Sequence, residues 1–151
     1  MEAFEIYKLK AAGLTNEQVL RILAICQEGE PLPPLEEMAK IARCRSIIRF
    51  VEQYRQLDEE QLQTEFERFP SLSIFDSDYP ESLMQIYNPP VLLFYQGNLN
   101  LLAEPKIAVV GARETSREGV KSVEKIIQEL QNQLVVVSGL AKGIDATAHY
   151  A

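Results

Sequence analysis

The chain has 151 residues, 46% hydrophobic and 25% charged, an ordinary globular composition that sets aside disorder, collagen and coiled coil and suits one domain or two small ones. No run of about 18 apolar residues is present, and the opening MEAFEIYKLK has acids where a secretory leader needs a basic stretch and then an apolar one, so a soluble cytoplasmic protein is expected. The net charge of -7 speaks against a surface coated in positive field, the usual state of non-specific duplex DNA binders.

The front reads as a compact bundle of about five short helices, residues 1 to 68. Phe4, Ile6 and Leu9 begin it, and Gly13 suits the end of a first helix. Thr15 and Gln18 form a capping box, after which Val19, Leu20, Leu23 and Ala24 recur at helical spacing. Pro31, Pro33 and Pro34 break the chain and open a helix at Leu35 that presents Met38, Ala39, Ile41 and Ala42. Ile47 to Tyr54 offers Ile47, Ile48, Phe50, Val51 and Tyr54, and Asp58 starts a last helix carrying Leu62 and Phe66. Cys26 and Cys44 lie in helical segments without CxxC spacing, so they are expected as small core residues rather than a disulfide or metal pair. Glu36, Glu37, Asp58, Glu59 and Glu60 gather at two helix starts, where acids stabilise the dipole without any partner.

Residues 69 to 105 change character. Pro70, Pro80, Pro89 and Pro90 punctuate them, and Val91 to Tyr95 has strand length and composition. The segment is expected to connect the helical front to residues 106 to 151, with Tyr79, Tyr87, Phe94 and Tyr95 as hydrophobic anchors rather than base-stacking platforms.

From residue 106 to 151 the pattern is β-α-β. Ile107 to Val110 and Leu134 to Val137 are short continuous apolar runs, the mark of parallel strands covered on both faces. Between them Thr115 and Glu118 make a second capping box, and Val120, Val123, Ile126, Ile127 and Leu130 line one helix face. Right-handed crossover then makes the strands parallel and brings the loops after Val110 and Val137 to one sheet edge, where open α/β sheets bind ligands.

Those loops are Gly111-Ala112-Arg113-Glu114-Thr115-Ser116 and Ser138-Gly139-Leu140-Ala141-Lys142-Gly143-Ile144-Asp145. Each has a glycine close after its strand and one cation within a few residues, an arrangement suited to phosphates without a metal. Neither is GxGxxG nor GxxxxGK[ST], so the dinucleotide and P-loop readings lack their fingerprint. The charge distribution agrees with two units of different partners: residues 111 to 151 hold five acids and five bases, so the whole net charge falls on residues 1 to 110. Exposed cations at strand ends serve no core, which singles out Arg113 and Lys142. Arg117, Lys121 and Lys125 instead have acids at helical spacing and read as a solvated face. Gly119 is balanced between sheet packing and ligand approach. Asp145 and His149, the chain's only histidine, could suggest acid-base chemistry, but an aspartate capping the amides of its own turn is the simpler reading.

IAVVGAR followed, one helix later, by VVVSGLAKGIDATAH closely resembles the DNA-processing protein A family (DprA, also called Smf), and DSDYPESLMQIYNPPVLLFYQGN resembles the segment before that family's Rossmann-like domain. The front resembles the SAM-like helical domain of streptococcal members. The resemblance implies an α + α/β protein, a SAM-like helical domain followed by an incomplete Rossmann-like parallel sheet, because family members continue through further strands and helices beyond Ala151. It implies single-stranded DNA binding, loading of the recombinase RecA during natural transformation, a homodimer, no cofactor and no enzymatic activity. A competence response regulator is the implied partner of the helical domain, and no membrane is involved. Carried over by motif, the DNA-binding residues are Gly111, Arg113, Ser138, Gly139 and Lys142. Two other classes compete: a phosphoribohydrolase-like enzyme on nucleotides, which should show a GGxxGxM-type loop that is absent here, and a pure protein-interaction module.

Overall fold

The computed structural model describes residues 2–26, 32–130 and 133–151; Pro31, expected among the helix-breaking prolines, lies outside the described residues. The chain divides into two compact units, Met1–Gly97 and Asn98–Ala151.

The first unit is built on five helices, α1 (Ala3–Ala11), α2 (Asn16–Leu23), α3 (Leu35–Ile41), α4 (Ile47–Arg55) and α5 (Glu59–Phe66). Their ends follow local chemistry. Gly13, at φ 92°, closes α1 with its N–H on Lys10 and the next N–H on Leu9, a Schellman end. Thr15 caps α2 through the expected reciprocal box with Gln18. Ser46 caps α4 and Asp58 caps α5, each accepting from the amide three residues on. The acids in the first turns of α3 and α5 sit where the dipole favours them, and Glu59 also holds Lys8 at 3.1 Å. Burial works against the Lys8 charge, but the hydrogen bonds it donates to Glu5 and Glu59 outweigh it and raise its pKa.

Helical spacing turns Ile6, Leu9, Val19, Ile22, Met38, Ala39 and Phe50 into one buried core. Ile48, expected on the apolar face, is instead 71% exposed. The inward stripe of α4 runs through Ile47, Phe50, Val51 and Tyr54, and residue 48 falls to one side of it. The two cysteines are half-buried at the core's rim rather than within it.

Residues 71 to 97 close this core. Strand β1 (Ser71–Ser73) pairs antiparallel with β2 (Leu92–Phe94), and the short helix α6 (Glu81–Met84) lies between them in sequence. The Asn16 side chain grips the proline turn, accepting from the Val91 amide at 2.9 Å and donating to the Pro89 carbonyl at 2.6 Å. Val91 is thereby drawn into the helical core. Tyr79 is buried with its hydroxyl on the Pro90 carbonyl at 2.7 Å, and Phe94 meets Tyr7 and Phe66 edge-on. Tyr87 departs from the anchoring expectation, since it is 95% exposed.

The second unit opens with a 3-10 turn (Leu99–Leu102) and is the expected β-α-β unit, β3 (Lys106–Ala108), α7 (Arg117–Leu130) and β4 (Val135–Val137), followed by α8 (Ile144–Tyr150). The strands are parallel, with Ile107 opposite Val136. The ladder runs one residue past β3, where the Val109 amide donates to the Val137 carbonyl at 2.9 Å. The cap of α7 is Ser116 rather than Thr115: its hydroxyl accepts from the Gly119 amide at 3.1 Å. Ile127 is buried on α7, whereas Ile126 turns toward solvent.

Candidate functional site

The loops that leave β3 and β4 meet at one rim and are tied together at three levels. Nearest the sheet, the Ser138 hydroxyl donates to the Val109 carbonyl at 2.6 Å. Next, the Gly111 amide donates to Asp145 Oδ1 at 3.3 Å. Farthest out, the Ile144 amide donates to the Ala112 carbonyl at 3.2 Å.

Two glycines in this rim are required by close approach. A Cβ at Gly143 would lie 2.2 Å from the Ala112 carbonyl oxygen, and the residue has φ 94°, which favours glycine. A Cβ at Gly111 would lie 2.7 Å from Ile144. Since its N–H is already committed to Asp145, the approach Gly111 allows a ligand is steric and not through that donor. Asp145 is buried between the two loops, with Oδ2 turned toward Gly139, where a Cβ would stand 3.1 Å away. Gly119 has its own packing reason, because a Cβ there would press on the Thr115 hydroxyl at 2.6 Å.

The aspartate caps an amide, as expected, but the amide belongs to the opposite loop and not to its own turn. His149, one turn along α8, places Nε2 3.1 Å from the Ser138 carbonyl. Asp145 and His149, the pair that could suggest acid-base chemistry, are therefore both engaged with backbone.

Exposed on the two loops are two cations and one acid, Glu114. Arg113 and Lys142 are exposed, one on each loop, and among the described residues neither makes an ion pair. Leu140 stands between Gly139 and Lys142 with φ 53° and its side chain 56% exposed. A leucine in the left-handed region is strained by about 1–2 kcal/mol, and no pattern in the sequence signals it. Lys125, read as a solvated residue, pairs with Glu129 at 3.8 Å. Among the described residues no group of three His, Cys, Asp or Glu side chains could hold a metal ion, and no helix is long and apolar enough to cross a membrane.

The family model for DNA recombination-mediator protein A matches residues 71–151, and that for the DNA processing protein A sterile alpha motif domain matches residues 1–62. The chain is 54% identical over 148 residues to the DNA processing protein DprA of Streptococcus pneumoniae, covering 98% of this chain and 52% of that protein. It is 39% identical over 83 residues to the DNA processing protein DprA of Bacillus subtilis, covering 54% of this chain and 28% of that one. The X-ray structure of DNA processing protein A from Streptococcus pneumoniae superposes with a TM-score of 0.92 at 53% identity, over 99% of this chain and 53% of that one. The chain thus spans about half the length of the pneumococcal relative.

Proposed function

Because the chain belongs to the DNA recombination-mediator protein A family, we propose that the protein binds single-stranded DNA and loads RecA on incoming strands during natural transformation. It does so in the cytoplasm, as a homodimer, by binding and not by catalysis, and needs no cofactor. The observation that carries this reading is the pair of exposed, unpaired cations, Arg113 and Lys142, held on two loops stitched together at the ends of parallel strands.

Gly111, Arg113, Ser138, Gly139 and Lys142 form the proposed DNA-binding set. Arg113 grips a phosphate through its planar fork, and Lys142 adds a second, point-like charge. Gly139 lets the strand approach the backbone. Ser138 has its hydroxyl proton committed to Val109, so it shapes the loop and can only accept from a ligand. The helical domain is the proposed docking point for a competence response regulator.

The test is a fluorescence anisotropy titration of the full-length protein with labelled oligo-dT at several salt concentrations. Each phosphate contact contributes about 0.7 to the slope of log affinity against log salt. An unchanged slope for a correctly folded Arg113→Ala variant removes this rim from the DNA path. Base release from nucleoside monophosphates well above background would favour an enzyme instead.

A further inference from the structure

The helical unit holds a cleft of about 600 Å³, within the roughly 300–1,000 Å³ range of small-ligand sites. It is walled by the turn of residues 12–15, by α2 and by the start of α4, and Arg21, Arg45 and Arg49 line it. We infer that this cleft binds a nucleotide phosphate, a site that goes beyond the rim reading and does not depend on it.

The charge of the cleft opposes that of its surroundings. Residues 1 to 68 contain 13 acids and 9 bases, yet among the residues lining the cleft three arginines face a single acid, Glu17. That acid is spent. Arg21 reaches the Glu17 carboxylate with one terminal nitrogen and the Ala42 carbonyl, at 3.3 Å, with the other. Its guanidinium is thereby held in place, while Arg45 and Arg49 are left exposed and without an ion pair among the described residues.

The position of those two arginines runs against local electrostatics. Arg49 lies in the first turn of α4, and Arg45 just before its Ser46 cap. They thus stand at the positive end of the helix, which disfavours cations. Helices α1, α2, α3 and α5 each carry a glutamate in the first turn, and α4 carries none. Departures from local rules of this kind concentrate where a ligand compensates them. A bound anion relieves the unfavoured helix end.

The chemistry of the lining selects a phosphate. The two cations without an ion pair among the described residues, Arg45 and Arg49, are arginines, whose planar forks match two oxygens of one phosphate, where lysines would act as point charges. Thr15, Ser46 and Gln53 add neutral polar groups at the wall, and Leu14 and Phe50 give it an apolar part able to meet a sugar or base. A free mononucleotide and a strand present the same phosphate, and the experiment separates them.

The experiment follows the backbone amide signals of the cleft wall, residues 12–15 and 44–53, in the whole chain by NMR, adding thymidine monophosphate, then oligo-dT, with a poly-glutamate peptide as control. The comparison variant is Arg45→Gln with Arg49→Gln, both exposed positions, and the amide spectrum of the variant verifies its fold. Saturable shifts with the monophosphate, about tenfold weaker in the variant as loss of a charged hydrogen bond predicts, assign a mononucleotide site. Saturable shifts with oligo-dT alone, with the salt slope lowered by about 0.7 per arginine, assign a strand site. No saturable shift with either phosphate probe, a response to the peptide alone, or equal shifts in the variant overturn the inference. Arg113→Ala leaves these signals unchanged, so failure of the rim reading and failure of this one appear in different observables.

Discussion

The Gly111 amide donates to a carboxylate oxygen of Asp145, 34 residues along the chain and buried between the two glycine loops. The acid acts as an internal strut for a rim that exposes Arg113 and Lys142. Asp145→Ala leaves that amide without its acceptor and should destabilise the second unit by about 1–3 kcal/mol. Asp145→Asn keeps an oxygen at the same place and should lose less. Denaturant unfolding followed by signals from residues 106 to 151 measures both, and equal losses would show that the charge and not the acceptor matters.

Gly111→Ala drives a methyl group into Ile144 and should cost about 1–3 kcal/mol as overpacking. Adding Ile144→Ala makes room for it. The double variant should then be more stable than the sum of the two single losses predicts, a coupling that the same unfolding experiment reads.

For the full-length protein, Arg113→Ala and Lys142→Ala should each flatten the salt slope of oligo-dT binding by about 0.7, weakening all sequences alike. Arg113→Glu should be worse than Arg113→Ala, because it adds an anion to the proposed phosphate path. Lys125→Ala, whose partner is Glu129, should leave the slope nearly unchanged.

Much of this was legible from short-range chemistry. The Thr15 and Gln18 box, the Asp58 cap and the Gly13 helix end each depend on residues within a turn of one another, and periodicity located α2, α4 and α7. Adjacent hydroxyls defeat the same logic, so Ser116 takes the cap expected of Thr115. The strut from Asp145 is a different matter: its i, i+4 relation to His149 was visible, but the Gly111 amide comes near only once the parallel strands are formed. Nor does pattern reveal Leu140 in the left-handed region, since a leucine there contradicts its own propensity.

Hydrogen exchange should separate the two units. Among the described residues of Asn98–Ala151 only Ile127 and Ala148 are buried apolar side chains, and Val110 and Val137 are 76% and 45% exposed. Amides of α1, α2 and α4 should therefore exchange slowly and those of β3 and β4 quickly. Comparable protection in both sets would refute the expectation.

Tyr79→Phe removes the donor from the Pro90 carbonyl and should cost about 1 kcal/mol. Burial raises the Tyr79 phenol above its ordinary 10.0. A folded pKa above the unfolded one gives stability that is whole below about pH 10 and is lost as pH rises through the folded value. The variant's stability should accordingly fall less steeply on the alkaline side, as denaturant midpoints taken across that range would read.

Val91 belongs by sequence to the stretch matched by the recombination-mediator model, yet it completes the core of Ile6, Leu9 and Ile22. The boundary between the two family segments and the seam along which the chain divides physically are thus different places. Exchange of front segments between relatives at a junction near residue 68 would bring together an Asn16 clasp and a Val91 plug with separate histories. Compatible grafts should cluster near residue 97, so the helical front and the proline turn travel as one heritable piece.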